Sequence, residues 1–192
     1  KNFYLSLVGE HLFITMVAIT IAIIVGVAVG VAISEKRKIA GIVISIVNVL
    51  YTIPSIALLG VLISVTGIGN KTAIIALTLY ALLPVVRSTY TGIVNIDEKI
   101  VEASEAMGST KFQTMYKVKL PLAFPVIFSA IRNMVTMTIA LAGIASFVGA
   151  GGLGVAIYRG ITTNNANLLL IGSILIALLA LVSDGLLGIV QR

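Results

Sequence analysis

Five stretches of this chain are too long and too apolar to form the interior of a water-soluble domain. They are "LFITMVAITIAIIVGVAVGVAI" at 12–33, "AGIVISIVNVLYTIPSIALLGVLISV" at 40–65, a shorter third block opening with "TAIIALTLYALLPVV" within 72–92, a fourth at 122–148, and "LLLIGSILIALLALVSDGLLGIV" at 168–190. A helix that crosses the bilayer's hydrocarbon core needs about 20 mostly apolar residues. The pattern predicts an all-α integral membrane protein, one domain over 1–192, with five spans at those positions. Composition agrees: 59% of residues are hydrophobic and 10% charged, against about 25% charged in soluble domains. The second block holds Pro54 and could be two short segments. One kinked helix is expected, since about 26 residues rising 1.5 Å each give about 39 Å, a single tilted crossing. The first block is too long for a signal-peptide core and has no clear cleavage site, so it reads as a permanent span. A chain that opens with Lys1 fits a numbering that begins inside a longer product.

Orientation follows from the cations. Lys36, Arg37 and Lys38 lie between the first two blocks, and Lys99, Lys111, Lys117 and Lys119 lie between the third and fourth. Loops rich in Lys and Arg stay in the cytoplasm. The N-terminus then lies outside with Lys1, Lys71 and Arg159, and Arg192 lies inside. The net charge of +6 is thus a topology signal and gives no reason to expect nucleic acid as a partner.

The only long cytoplasmic loop is "NIDEKIVEASEAMGSTKFQTMYKVKLPLAFP", which begins at Asn95 and contains the expected coupling segment 95–121. Asn95 with Glu98 suits a helix N-cap with an acid at N3, and Gly108 suits a C-terminal cap. Thr110 and Gln113 form a capping box for a second short helix. That helix should carry Phe112, Met115 and Tyr116 on one exposed face and end at Pro121, where the next span starts. Exposed aromatic and Met side chains of this kind need a partner.

Glu102-Ala103-Ser104, three residues, Gly108, nine residues, then Val118-Lys119-Leu120-Pro121 resembles the "EAA, three, G, nine, I-x-LP" motif in permease subunits of binding-protein-dependent ABC importers. Ser104 replaces the second Ala, and Val118 replaces Ile. The resemblance implies a type I, methionine-importer-like permease fold, with this loop as the coupling helix pair that docks on a cytoplasmic ABC ATPase dimer. It assigns that contact to Glu102, Ala103, Ser104, Gly108, Phe112, Met115, Tyr116, Leu120 and Pro121. It also implies a second permease copy, an extracellular or periplasmic binding protein on a separate or fused chain, and a multi-pass location in the cell (inner) membrane. "TIPSIALLG", "LYALLPVVRSTYTGI", "LPLAFPVIFSAIR" and "GAGGLG" look like the branch that imports glycine betaine, choline or carnitine. A neighbouring branch takes up ergothioneine, and a more distant one methionine.

Gly149, Gly151 and Gly154 spell G-x-G-x-x-G, a dinucleotide-binding spacing. That reading requires a preceding strand and an acidic residue about 20 positions on; the next carboxylate is Asp184, inside an apolar block. Gly149, Gly151, Gly152 and Gly154 instead fall at the outer end of the fourth span. They are read as a tight turn that helps form an external gate. Gly26 and Gly30 read as helix packing.

Ionisable residues inside apolar blocks are functional suspects. Arg87, Arg132 and Asp184 are expected to sit toward the cytoplasm, with Asp184 paired to one of the arginines. Tyr51, Tyr80, Tyr90, Phe147 and Tyr158 offer ring faces to a quaternary ammonium. His11 reads as an interfacial residue. No catalytic residue is expected: "GIGNKT" (67–72) departs from a phosphate-binding loop at Asn70, so ATP and Mg belong to the partner ATPase. With no cysteine and one histidine, no metal cluster is expected either. A secondary transporter, driven by an ion gradient, is the alternative class. It should carry coupling carboxylates near the midplane.

Overall fold

The computed structural model describes residues 3–191 and is built of helices. The terminal charges Lys1 and Arg192 lie outside the described residues. In chain order the helices are α1 (Phe3–Ser34), α2 (Arg37–Thr52), α3 (Ser55–Thr66), α4 (Asn70–Val94), α5 (Glu98–Ala106), α6 (Lys111–Thr114), α7 (Leu120–Leu141), α8 (Gly154–Thr162) and α9 (Ala166–Val190). A π-helical turn (Met115–Lys119) joins α6 to α7, and a 3-10 segment (Ala142–Val148) follows α7. Four helical stretches are long and apolar enough to span a membrane: α1, α4, the run Lys111–Val148, and α9. The first begins nine residues earlier than the sequence blocks indicate, and the third is not short, because 25 residues of α4 are helical.

The 40–65 block is not one kinked helix. Its two halves meet at 98°, so α2 and α3 form a broken span or a re-entrant loop. Pro54 disfavours a helical conformation at the residue before it, and Ile53 is extended (φ −67°, ψ 127°). The exposed corner is held from outside: the Tyr80 hydroxyl of α4 donates to the Ile53 carbonyl.

The core is organised by a ladder of small residues. Ala18, Ala22, Gly26 and Gly30 recur every four positions on α1, all buried, and α4 packs against them. Between membrane helices the driving force is close van der Waals contact, which small residues permit. A Cβ on Gly26 would lie 2.8 Å from Val85 Cγ1, and one on Gly30 would lie 2.5 Å from Thr89 Cβ. Gly30→Ala is therefore expected to destabilise the permease by about 1–3 kcal/mol through overpacking. Thermal unfolding in detergent measures this, with Gly41→Ala, which meets nothing within 4 Å, as the reference.

His11 has a packing role inside the bundle. It is buried, and its Nε2 donates to the Ile139 carbonyl at 3.0 Å, tying α1 to α7. Pro121 likewise does not end a helix. The Leu120 N–H reaches back to Met115 O, five residues away, so the hydrogen-bond ladder has already shifted where proline supplies no donor. The second coupling helix and the fourth span are consequently one unbroken run, Lys111–Val148.

Candidate functional site

At one end of the bundle, α5 and α6 form a compact pair. α5 starts two residues later than the Asn95 cap would place it. Its N-cap is Asp97, whose carboxylate accepts the Lys99 N–H at 3.0 Å, and Glu98 is its first residue. Asn95 instead closes α4, its N–H bonding to Thr91 O at 3.1 Å. At the far end of α5, Gly108 takes φ +87°. The Gly108 N–H bonds to Glu105 O at 2.9 Å and the Ser109 N–H to Ser104 O at 3.2 Å. These crossed bonds satisfy the last carbonyls of the helix and reverse the chain. Thr110 and Gln113 then cap α6 reciprocally at 3.3 and 2.9 Å.

Ser104 has a definite place in this pair. It is buried, and its Oγ lies 3.2 Å from the buried Thr114 Oγ1, joining α5 to α6 where an alanine would make no bond. Phe112 and Tyr116 are 69% and 52% exposed with ring centroids 4.4 Å apart, whereas Met115 is only 4% exposed. Met115 therefore does not share the exposed face: it packs with Ile93, Ala123 and Ile127 in the cluster that Leu120 also joins. Glu102, Ala103 and Pro121 are exposed. So is Met107, at 82%. Spacing alone misses Met107, since it stands among polar residues; its position directly before the capping glycine is the available clue. A polar helix pair tipped with Met107, Phe112 and Tyr116 is a surface built to be covered by another protein.

At the other end of the bundle, Val148–Gly154 forms a turn wedged between three helices. Gly149 (φ +70°) and Gly152 (φ +95°) have left-handed backbones. A Cβ on Gly151 would strike Glu10, and one on Gly154 the Gly143 carbonyl. The turn's amides are held by side chains from distant parts of the chain: Gly152 N–H by Glu10 Oε2 at 3.0 Å, and Gly151 N–H by Asn70 Oδ1 at 2.9 Å. The Gly69 N–H bonds to Val148 O at 2.9 Å. Glu10 lies just before the first apolar block and escapes a search confined to the blocks. Asn70, the residue that spoils the phosphate-loop reading, has this tether as its structural use.

Between α7 and α9, Arg132 and Asp184 form a two-pronged ion pair, Nε–Oδ1 and Nη2–Oδ2 both 2.6 Å, and Nη1 also donates to Gln191 Oε1 at 3.3 Å. A Cβ on Gly188 would lie 3.0 Å from the guanidinium, so α9 is cut away where the arginine passes. Arg87 is not part of this arrangement; it is exposed, and both oxygens of Asp184 face Arg132. Two of the aromatic candidates pair edge to face, Tyr51 with Tyr80 at 5.9 Å. Phe147 and Tyr158 do the same at 5.3 Å. Tyr90 packs with the Ile33, Ala40 and Val86 cluster. Among the described residues no group of His, Cys, Asp or Glu is arranged to hold a metal.

Apolar spanning helices, an uncovered helix pair at one end and a pinned glycine turn at the other define a membrane transport subunit that works with other proteins. The chain belongs to the family of binding-protein-dependent transport system inner membrane components, whose profile matches residues 14–192. It is 43% identical over 184 residues to the carnitine transport permease protein OpuCD of Listeria monocytogenes serotype 1/2a, covering 95% of this chain and 82% of that protein. It is 42% identical over 184 residues to the glycine betaine/carnitine/choline transport system permease protein OpuCD of Bacillus subtilis (strain 168), covering 95% and 80%. The fold matches an inward-facing structure of the MetNI methionine ABC transporter with a TM-score of 0.88 at 28% identity, over 98% of this chain and 94% of that one. The chain is thus a multi-pass inner-membrane permease subunit of an ABC importer with the type I permease fold. It is not an enzyme: ATP hydrolysis lies in a separate subunit, and a substrate-binding protein is the other partner.

Proposed function

We propose that this chain conducts a quaternary-amine osmoprotectant, such as glycine betaine, choline or carnitine, through the membrane of an ATP-driven importer. The observation that carries the reading is the identity of more than 40% with permeases named for those solutes, over nearly the whole chain. The working unit has two copies of this chain, an ATPase dimer that holds ATP and Mg, and an external receptor, on its own chain or fused to the permease. This chain binds no cofactor. Its N-terminus lies outside and its C-terminus inside, which puts the α5–α6 pair in the cytoplasm, as the surrounding lysines favour. Glu102, Ala103, Ser104, Gly108, Phe112, Tyr116, Leu120 and Pro121 form or support the docking surface. Met115 anchors it from beneath. The glycine turn, Gly149 to Gly154, is the external gate under the receptor, and its tethers to Glu10 and Asn70 set its position.

Alternating access follows from these parts. ATP closes the ATPase dimer, the docked pairs move with it, and the membrane helices open outward to accept solute from the receptor. The test is uptake of radiolabelled choline, glycine betaine and carnitine into proteoliposomes that contain the permease, ATPase and receptor. Uptake should require ATP and survive collapse of all ion gradients. Gradient-driven uptake without ATP would instead establish a secondary transporter, and ATP-driven uptake of ergothioneine but none of the three would reassign the solute.

A further inference from the structure

The groove between α4 and α7 gathers polar side chains from two facing helices at the surface of the bundle. It is an open groove of about 510 Å³, lined by Pro84 and Ser88 of α4 and by Pro125, Ser129 and Asn133 of α7 with the apolar Val126 and Ala130 between them. Asn133 lies about 20 Å along α7 from Leu120 at 1.5 Å per residue, near the middle of the helical stretch from Leu120 to Val148. Several polar side chains in the spans turn back on their own helices, Ser34 on Val31 O, Thr78 on Ile74 O and Ser173 on Leu169 O, while Ser45 and Asn48 of α2 are exposed and, among the described residues, unbonded. Ser88, Ser129 and Asn133 make no side-chain hydrogen bond among the described residues, and Asn133 is exposed. Unpaired amide and hydroxyl groups facing hydrocarbon are costly, and polar groups at this depth are found facing protein or a watery cavity. By contrast, α9 exposes Leu170, Ile174, Leu178, Leu181 and Leu186, a surface suited to lipid.

The groove is also prepared for a cation. Each proline removes the N–H that would bond the carbonyl four residues earlier, those of Tyr80 and Pro121. One turn outward from Pro84 and Asn133 stand Tyr80 and Met137, and the half-exposed Tyr51 bridges them, its ring edge to face with Tyr80 and its hydroxyl 3.3 Å from Met137 Sδ. Arg132, the residue before Asn133, would repel a cation, but Asp184 draws its guanidinium to α9 and neutralises it. Arg87 does not line the groove.

We infer that the α4–α7 groove is the solute-facing surface of this permease, where a trimethylammonium group passes between the half-exposed Tyr51 ring, backed by the buried Tyr80, and the oxygens of Ser88, Ser129 and Asn133. This deepens the importer reading and rests on it. The chain has no cysteine, so single thiols report directly. Ser88→Cys, Ser129→Cys and Asn133→Cys, with Leu178→Cys as the lipid-side control, are assembled with ATPase and receptor. Each is treated with a trimethylammonium-ethyl methanethiosulfonate and with its sulfonate-bearing counterpart. The three groove thiols should react in at least one nucleotide state, with a cationic-to-anionic rate ratio several-fold above that of a free thiol in the same buffer, as a site with hydroxyl and amide oxygens and a neutralised Arg132 favours cations. Leu178→Cys should stay unreactive.

Groove thiols that remain as unreactive as Leu178→Cys in every nucleotide state would mean that lipid or the second copy covers this face, and would overturn the inference. A ratio no greater than that of the free thiol would overturn the cationic ligand class. Co-purification of the ATPase with each variant, a property of the opposite end of the bundle, confirms assembly. A wild-type chain that retains no ATPase would sink the importer reading itself, whereas retained ATPase with an unreactive groove sinks only the path.

Discussion

Gly108→Val is expected to reduce retention of the ATPase at least about tenfold, the equivalent of 1.4 kcal/mol of lost docking energy, in a permease that still inserts and folds. A Cβ at this position meets nothing within 4 Å, so the substitution creates no clash. The cost is in the backbone. A β-branched residue strongly resists φ +87°, and relieving it breaks the crossed bonds from Gly108 and Ser109 that reverse the chain. Because α6 is continuous with the fourth span, it is α5 that then meets it at another angle, and Met107 no longer forms one surface with Phe112 and Tyr116. The damage is confined to the helix pair, because the membrane core does not touch this turn. Pull-down of the ATPase at equal membrane expression, together with receptor-stimulated ATP hydrolysis, measures the effect. Glu102→Ala, at an exposed position, should change stability by no more than about 0.5 kcal/mol, so any loss of stimulated hydrolysis in that variant reports docking. Normal retention and normal stimulation in both variants would remove the helix pair from the coupling mechanism.

Asp184→Asn is expected to lower the melting temperature of the permease by several degrees, and Arg87→Gln to leave it unchanged. The asparagine takes away the charge that holds the Arg132 guanidinium between α7 and α9 and leaves the cation only neutral acceptors, the asparagine's own Oδ1 and Gln191 Oε1. Breaking a partly buried pair from one side is worse than removing both partners, since one charge remains uncompensated. The double variant Arg132→Gln/Asp184→Asn should therefore recover part of the loss, a coupling that a double-mutant cycle measures. Equal melting for wild type and Asp184→Asn, accompanied by lost transport, would assign the carboxylate to the transport step rather than to the bundle.

These features differ in how far the sequence alone reveals them, and the differences have physical causes. The Thr110–Gln113 capping box and the Gly108 reversal depend on residues within a few positions of each other, and both read directly. The Arg132–Asp184 pair follows from the cost of a lone charge in an apolar block, although sequence could not choose between Arg132 and Arg87. Pro54 and Pro121 look alike as helix breakers, yet one turns the chain by 98° and the other sits within a continuous helix. The difference lies in what precedes them: a π-helical turn absorbs Pro121, while Ile53 is free to become extended and is captured by Tyr80. Met115 was hidden by wheel geometry, because it lies on the opposite flank of Phe112 from Tyr116 and that flank faces the core. Glu10 and His11 take their meaning from contacts more than 100 residues away in sequence, which no local pattern reports.

The unbroken run Lys111–Val148 has a mechanical consequence. At 38 residues and about 1.5 Å each it is a rod roughly 57 Å long, with Phe112 near one tip and Gly149 immediately beyond the other. A rod pivoting near its midpoint by about 5° moves each tip by about 2.5 Å, in opposite directions, over a half-length of about 28 Å. That stroke is comparable to the 2.9 Å bond between Val148 O and the Gly69 N–H, so a small tilt imposed at the Phe112 tip is enough to pull that contact apart. Lever arithmetic of this kind needs no flexible relay between the two faces of the membrane.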